Sequence, residues 1–198
     1  VFPSRLAANR RLASLLERRW AVPVLAELSR GAAGVSGMQG GGAKFVTLVN
    51  RLGIARESLS RTLEGLIREG WVVKNPGYGH PVRPEYLLSA RGVALARACA
   101  ELMAALAPMK AGEAAQRKWS LPAAGALASG AARFGELKEM LPGVTARALA
   151  TALKELEAQG LIERRVKDEY PPHPRYRLAS GTAGLVEALA RVSEELAA

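Results

Sequence analysis

Apolar residues recur at helical spacings along this chain in short segments cut by glycine and proline. Leu6, Leu12, Leu15 and Leu16 stand between basic residues of Arg5–Arg19 and predict an amphipathic opening helix. Trp20–Ser29 continues as a second apolar helix ended by Gly31, with Pro23 tolerable only in its first turn. Phe45, Leu48, Val49 and Leu52 give a short third helix that Gly53 breaks. Arg56–Glu69 opens a fourth, with Leu59, Leu63 and Leu66 along one side and Gly70 as its stop. Trp71-Val72-Val73 and Tyr86-Leu87-Leu88 then read as two strands around a turn-rich stretch from Asn75 to Pro84, and a helix over Gly92–Leu106 follows.

The same pattern then returns. Trp20-Ala21-Val22-Pro23 and Gly31 reappear as Trp119-Ser120-Leu121-Pro122 and Gly130 at an offset of 99, and Lys44–Leu48 reappears as Arg133–Leu137 at 89. From there the offset is 90: Gly53-Ile54, Leu59, Leu63, Leu66 and Gly70-Trp71-Val72 match Gly143-Val144, Leu149, Leu153, Leu156 and Gly160-Leu161-Ile162. The second copy therefore predicts helices at Phe134–Leu141 and Thr145–Gln159 and strands at Leu161–Val166 and Tyr176–Leu178, but has only Glu113–Lys118 for an opening helix. Two short helices joined by a glycine turn, then a strand, a long-loop hairpin and a helix, is the plan of a winged helix-turn-helix. The expected fold class is mostly α with small β wings (α+β), as two tandem winged helix-turn-helix domains. The first, 1–110, carries the long N-terminal helix and a Gly-rich loop insert, and the second is 111–198, with the boundary near Pro108–Gly112.

Charge narrows the class. The 198 residues carry a net charge of +10, which in a chain with no membrane-length apolar run points to a polyanionic partner, double-stranded DNA first. Residues 1–108 hold 15 Lys/Arg against 7 Asp/Glu, and residues 109–198 hold 13 against 11, so the first half carries most of the attraction. The one cysteine, Cys99, excludes an internal disulfide, fits a cytoplasmic location and reads as a small core residue on an apolar helix. The insert Gly31–Gly42 lacks a Gly-Lys-Ser/Thr ending and follows a helix, which makes it a surface loop rather than a phosphate cradle. No catalytic constellation is present, and no enzyme activity, cofactor or metal is expected.

With the three leucines of the fourth helix inward at about 100° per residue, its outer face carries Glu57, Arg61 and Arg68 flanked by Ser58, and its first turn adds Arg56. The N-terminal residues of such a helix meet base edges, and Arg61 can bind guanine bidentately. The alternative for these arginines is a solvated face paired with Glu57, Glu64 and Glu69. The second copy offers Arg147 and Thr151, with Thr145 as N-cap. On the wings, Lys74, His80 and Arg83 in the first copy and Arg164, Arg165, Lys167, His173 and Arg175 in the second are candidate phosphate contacts. Both histidines lie in proline-bracketed stretches, read as exposed loops, with no further ligands nearby for a metal.

Trp119-Ser120-Leu121-Pro122, Arg133–Leu137, the run Leu149–Arg164 and Tyr170-Pro171-Pro172-His173-Pro174-Arg175-Tyr176-Arg177-Leu178 resemble the successive signatures of HxlR-type transcriptional regulators, and the first copy is a looser version. The resemblance implies a winged-helix regulator that binds operator DNA as a two-fold dimer through its terminal helices. Having two copies, one chain is expected to act as a pseudo-dimer and sequence-specific regulator, with a homodimer of chains left open. The competing class is a protein-interaction scaffold, as in chromosome-partitioning complexes, which need not be basic. The redox-sensing N-terminal cysteine of some family members has no counterpart here.

Overall fold

The computed structural model describes residues 11–31, 42–75, 84–108, 118–167 and 173–197. They fall into two compact units: one is Trp20–Met103, and the other joins Val1–Arg19 to Ala104–Ala198. This division differs from the expected split at 1–110 and 111–198. The cause is the opening helix α1 (residues 11–17), which buries Leu12, Leu15 and Leu16. A side chain at Gly125 would press on Leu12 and Leu16, so the missing Cβ lets that helix pack closely, and the Arg11 guanidinium donates to the Leu196 carbonyl at 2.8 Å.

In the Trp20–Met103 unit, α2 (Ala21–Gly31), β1 (Gly42–Lys44), α3 (Phe45–Leu52), α4 (Arg56–Arg68), β2 (Val72–Asn75) and β3 (Glu85–Leu88) follow in order, and α5 (Ala90–Leu106) begins here and runs past its end. The three strands are antiparallel in the order β1-β3-β2, with Ala43 opposite Tyr86 and Val72 opposite Leu88. Strand β1 was not predicted, because three residues beside a glycine-rich run carry no alternation to read. Leu59, Leu63 and Leu66 of α4 are buried as their spacing requires, and Cys99 is buried on α5. Helix α5 starts two residues earlier than expected and passes so close to the chain just before β2 that a Cβ on Gly92 would collide with the Trp71 carbonyl. The ends of the Gly31–Gly42 insert appear in α2 and β1, and the residues between lie outside the described ones.

The other unit continues from α1 with α6 (Ser120–Ala128), α7 (Phe134–Met140), α8 (Ala146–Ala158), β4 (Ile162–Lys167), β5 (His173–Leu178), a short 3-10 turn (Ser180–Thr182) and α9 (Ala183–Ala197). Its core joins Ala123 and Leu127 to Leu137, Leu149, Leu153, Leu156 and Leu161, with Trp119, Phe134 and Tyr176 packed against it. Strand β5 starts at His173, three residues earlier than predicted, and runs opposite β4 so that Arg165 faces Arg175. Where the first unit has a third strand, this one has a single bridge between Arg133 and Arg175 and a 2.7 Å bond from the Tyr176 amide to the Ala132 carbonyl.

Backbone bonds at matching positions recur in the two units. Helix α4 ends with Gly70 at φ 77° and the Trp71 amide donating to the Leu66 carbonyl, and α8 ends with Gly160 at φ 70° and the Leu161 amide donating to the Leu156 carbonyl. Only a residue at ease with positive φ closes a helix this way. The bond from the Ser89 amide to the Trp71 carbonyl likewise has its counterpart from Ala179 to Leu161, at 3.0 Å in both.

Candidate nucleic-acid interface

In the unit holding α8, the side chains that could meet a duplex are set by two local devices. The first is the cap of α8: Thr145 Oγ accepts the Ala148 amide at 3.1 Å, ending the chain's extended run and starting the helix where the sequence placed it. Apolar residues at Leu149, Ala152, Leu153 and Leu156 bury one face of α8, which leaves Arg147 and Thr151 exposed near its start. Thr151 donates its hydroxyl to the Arg147 carbonyl at 3.0 Å. The second device is the α7 entry, where the Glu136 carboxylate accepts the Ala132 and Arg133 amides at 2.8 and 2.9 Å. Those two amides, and then the charges of Arg133 and Arg175, hold the Glu136 carboxyl below its ordinary range.

The β4–β5 wing is dense in arginine. Glu163 accepts from Arg177 at 2.6 and 3.0 Å and from Arg165 at 3.3 Å, and the Arg177 bond above all lowers its pKa. One carboxylate thus balances part of the charge of two arginines on an exposed surface, while Arg164 is exposed beside them. In the Trp20–Met103 unit the exposed face of α4 carries Arg56, Arg61 and Arg68. Arg61 lies 3.3 Å from Glu57 one turn back, so the surface pairing set out as the alternative for these arginines is present at this position. Ser58 is half-buried, and its carbonyl accepts the Thr62 hydroxyl.

The profile of HxlR-like helix-turn-helix proteins matches residues 115–196. The chain is 32% identical over 85 residues to the uncharacterized HTH-type transcriptional regulator YvaP of Bacillus subtilis, covering 43% of this chain and 79% of that one. The chain belongs to the HxlR-like helix-turn-helix family. An uncharacterized HTH-type transcriptional regulator of Methanothermobacter thermautotrophicus is 35% identical over 77 residues, covering 39% of this chain and 59% of that one. The regulator YtcD of Bacillus subtilis is 39% identical over 62 residues, covering 31% and 49%. The chain spans about half the length of several of the curated relatives it matches. No solved structure matches it. These relatives are described as transcriptional regulators, and the family is not one of enzymes.

Within the HxlR-like unit, α7 and α8 are the helix pair and β4–β5 the wing, and the candidate residues Thr145, Arg147, Thr151, Arg164, Arg165, Lys167, His173 and Arg175 fall on these elements or at their caps. His173 departs from its reading as an exposed loop residue: it is half-buried as the first residue of β5, because strand pairing with Lys167 extends the hairpin. Arg175 is also half-buried, drawn in by its bridge to Arg133. In the other unit Lys74 is exposed on β2, whereas His80 and Arg83 lie outside the described residues. No group of three or more His, Cys, Asp or Glu that could hold a metal occurs among the described residues. No helix among them is long and apolar enough to cross a membrane. Sequence reasoning missed Lys118 and Trp119, which share a groove with Arg147 and Thr151, because they precede α6 and lie far from α8 in the chain.

Proposed function

We propose that this chain is a sequence-specific, DNA-binding transcriptional regulator acting in the cytoplasm, with two winged helix-turn-helix units in one polypeptide working as a pseudo-dimer on operator DNA. The observation that carries this reading is the HxlR-like unit itself, whose capped helix α8 presents Arg147 and Thr151 beside a wing of exposed arginines. Helix termini and guanidinium groups are the chemistry that meets phosphate and base edges. In support of a second, diverged copy in Trp20–Met103, its Gly70 and Trp71 helix stop repeats that of Gly160 and Leu161, as do the hydrogen bonds around it. The proposed contacts are Arg56, Ser58, Arg61, Arg68, Lys74, His80 and Arg83 in that unit, and Thr145, Arg147, Thr151, Arg164, Arg165, Lys167, His173 and Arg175 in the HxlR-like one.

Selection of bound fragments from a random DNA pool tests the proposal. A recovered motif is expected, and with unlike recognition helices its two half-sites should differ although paired readers sit about one turn, roughly 34–36 Å, apart. Failure to enrich any motif, with binding to a protein partner instead, would favour the scaffold reading. A symmetric footprint that needs two chains would remove the pseudo-dimer while leaving the regulator.

A further inference from the structure

The HxlR-like unit has a groove of about 350 Å³ beside the start of α8, lined by Lys118, Trp119 and Ser120 from the entry to α6 and by Thr145, Arg147, Thr151 and Glu155 from α8 and its cap. Two cations from segments far apart in sequence therefore flank one concavity. Lys118 is held by two contacts: its Nζ lies 5.1 Å from the centre of the Trp119 ring and 3.1 Å from a carboxylate oxygen of Glu17 on α1. A cation over an indole face keeps its charge and loses part of its freedom, so less ordering entropy is lost when it meets an anion. Ser120 is fully buried, and its hydroxyl has no hydrogen-bond partner among the described residues.

We infer that this groove seats a backbone phosphate of duplex DNA between Lys118 and Arg147, which makes Lys118 a positioning contact and Glu17 its electrostatic brake. The inference rests on the DNA-binding reading above. DNA is the favoured source of the phosphate because the groove shares Thr145, Arg147 and Thr151 with the helix proposed to enter the duplex, so a strand brought to α8 passes over its rim. A phosphodiester brings one negative charge to a groove lined by two cations, one of which, Lys118, is paired with Glu17 and would be released from that pair toward the phosphate. Such a contact fixes register without choosing sequence.

The test is fluorescence anisotropy of the full chain on a random-sequence duplex and on the selected one, across a salt series. Lys118→Gln should weaken both alike and reduce the log-affinity against log-salt slope by about 0.9. Glu17→Gln should tighten both, and that opposite sign separates phosphate contact from loss of the Lys118–Glu17 pair, which the two variants share. Wild-type affinity and slope in both variants, with Arg164→Ala plus Arg165→Ala still weaker, would overturn the groove and spare the regulator. A loss confined to the selected duplex would overturn the phosphate assignment in favour of base contact. Wild-type protein that binds neither duplex would end the DNA-binding reading itself. Thermal stabilisation of DNA-free wild type but not of Lys118→Gln by millimolar inorganic phosphate, with DNA affinity and slope the same in both, would make free phosphate the occupant and overturn DNA.

Discussion

At the scale of single residues, the chemistry follows from what each side chain is given to hold. Thr145 is the N-cap of α8, and its hydroxyl replaces a helical partner for the Ala148 amide. Thr145→Ala should cost about 1 kcal/mol, read by urea unfolding, with Thr145→Ser restoring most of it. Arg61 is paired with Glu57 across one turn of an exposed helix, and an exposed pair of this kind contributes little to stability. Arg61→Ala should therefore leave the unfolding midpoint nearly unchanged and lose roughly 1–3 kcal/mol of discrimination at one base pair. Equal losses on selected and random duplexes would move Arg61 to the backbone. Glu57, Arg61 and Thr145 were all legible in the sequence, since spacings of three and four residues fix who can touch on one helix. The half-burial of His173 and Arg175 was not, because it depends on Lys167 and Arg133 across the sheet. Cys99 is buried, and burial raises its thiol pKa well above the ordinary range, which keeps it an unreactive thiol.

At the scale of elements, the helix-turn-helix pair depends on how α7 is entered. The Glu136 carboxylate takes two backbone amides that would otherwise be left over at the helix start, and they favour its ionised form. A carboxyl with a lowered folded-state pKa adds stability above its unfolded value, near 4.3, and loses it as pH falls through the folded one. The difference in melting temperature between wild type and Glu136→Gln should thus be largest near neutral pH and shrink below about pH 4. A difference that is flat with pH would remove the charge from the account. The entry to α7 was placed correctly by the repeat at Arg133–Leu137, but the bridge at Arg133 that stands where the other unit has β1 was not foreseen. A three-residue strand or a single bridge has too few positions to show a period of two, so it is written in the partner strand rather than in itself.

At the scale of the whole chain, the grouping of α1 with Ala104–Ala198 has a measurable consequence. Leu16 is 3% exposed and lies against Gly125, so Leu16→Ala should cost roughly 2–5 kcal/mol to that unit. Segment-resolved hydrogen exchange of the full chain should show protection falling in α6 and α9, with α3 and α4 unchanged. Loss confined to Trp20–Met103 would contradict the grouping. By itself the sequence determined the order of the helices, the buried face of α4 and α8, the glycine stops at Gly70 and Gly160, the hairpins and the family resemblance of the second half. Each of these is set by residues within a few positions of one another, through helical periodicity, turn chemistry and caps. Only the tertiary structure decided which unit α1 completes, where β1 pairs, and that Lys118, Trp119 and Arg147 border one groove. An amphipathic helix announces that it will bury its leucines but not against what. That choice is made by shape and volume across long stretches of chain, such as the space left at Gly125.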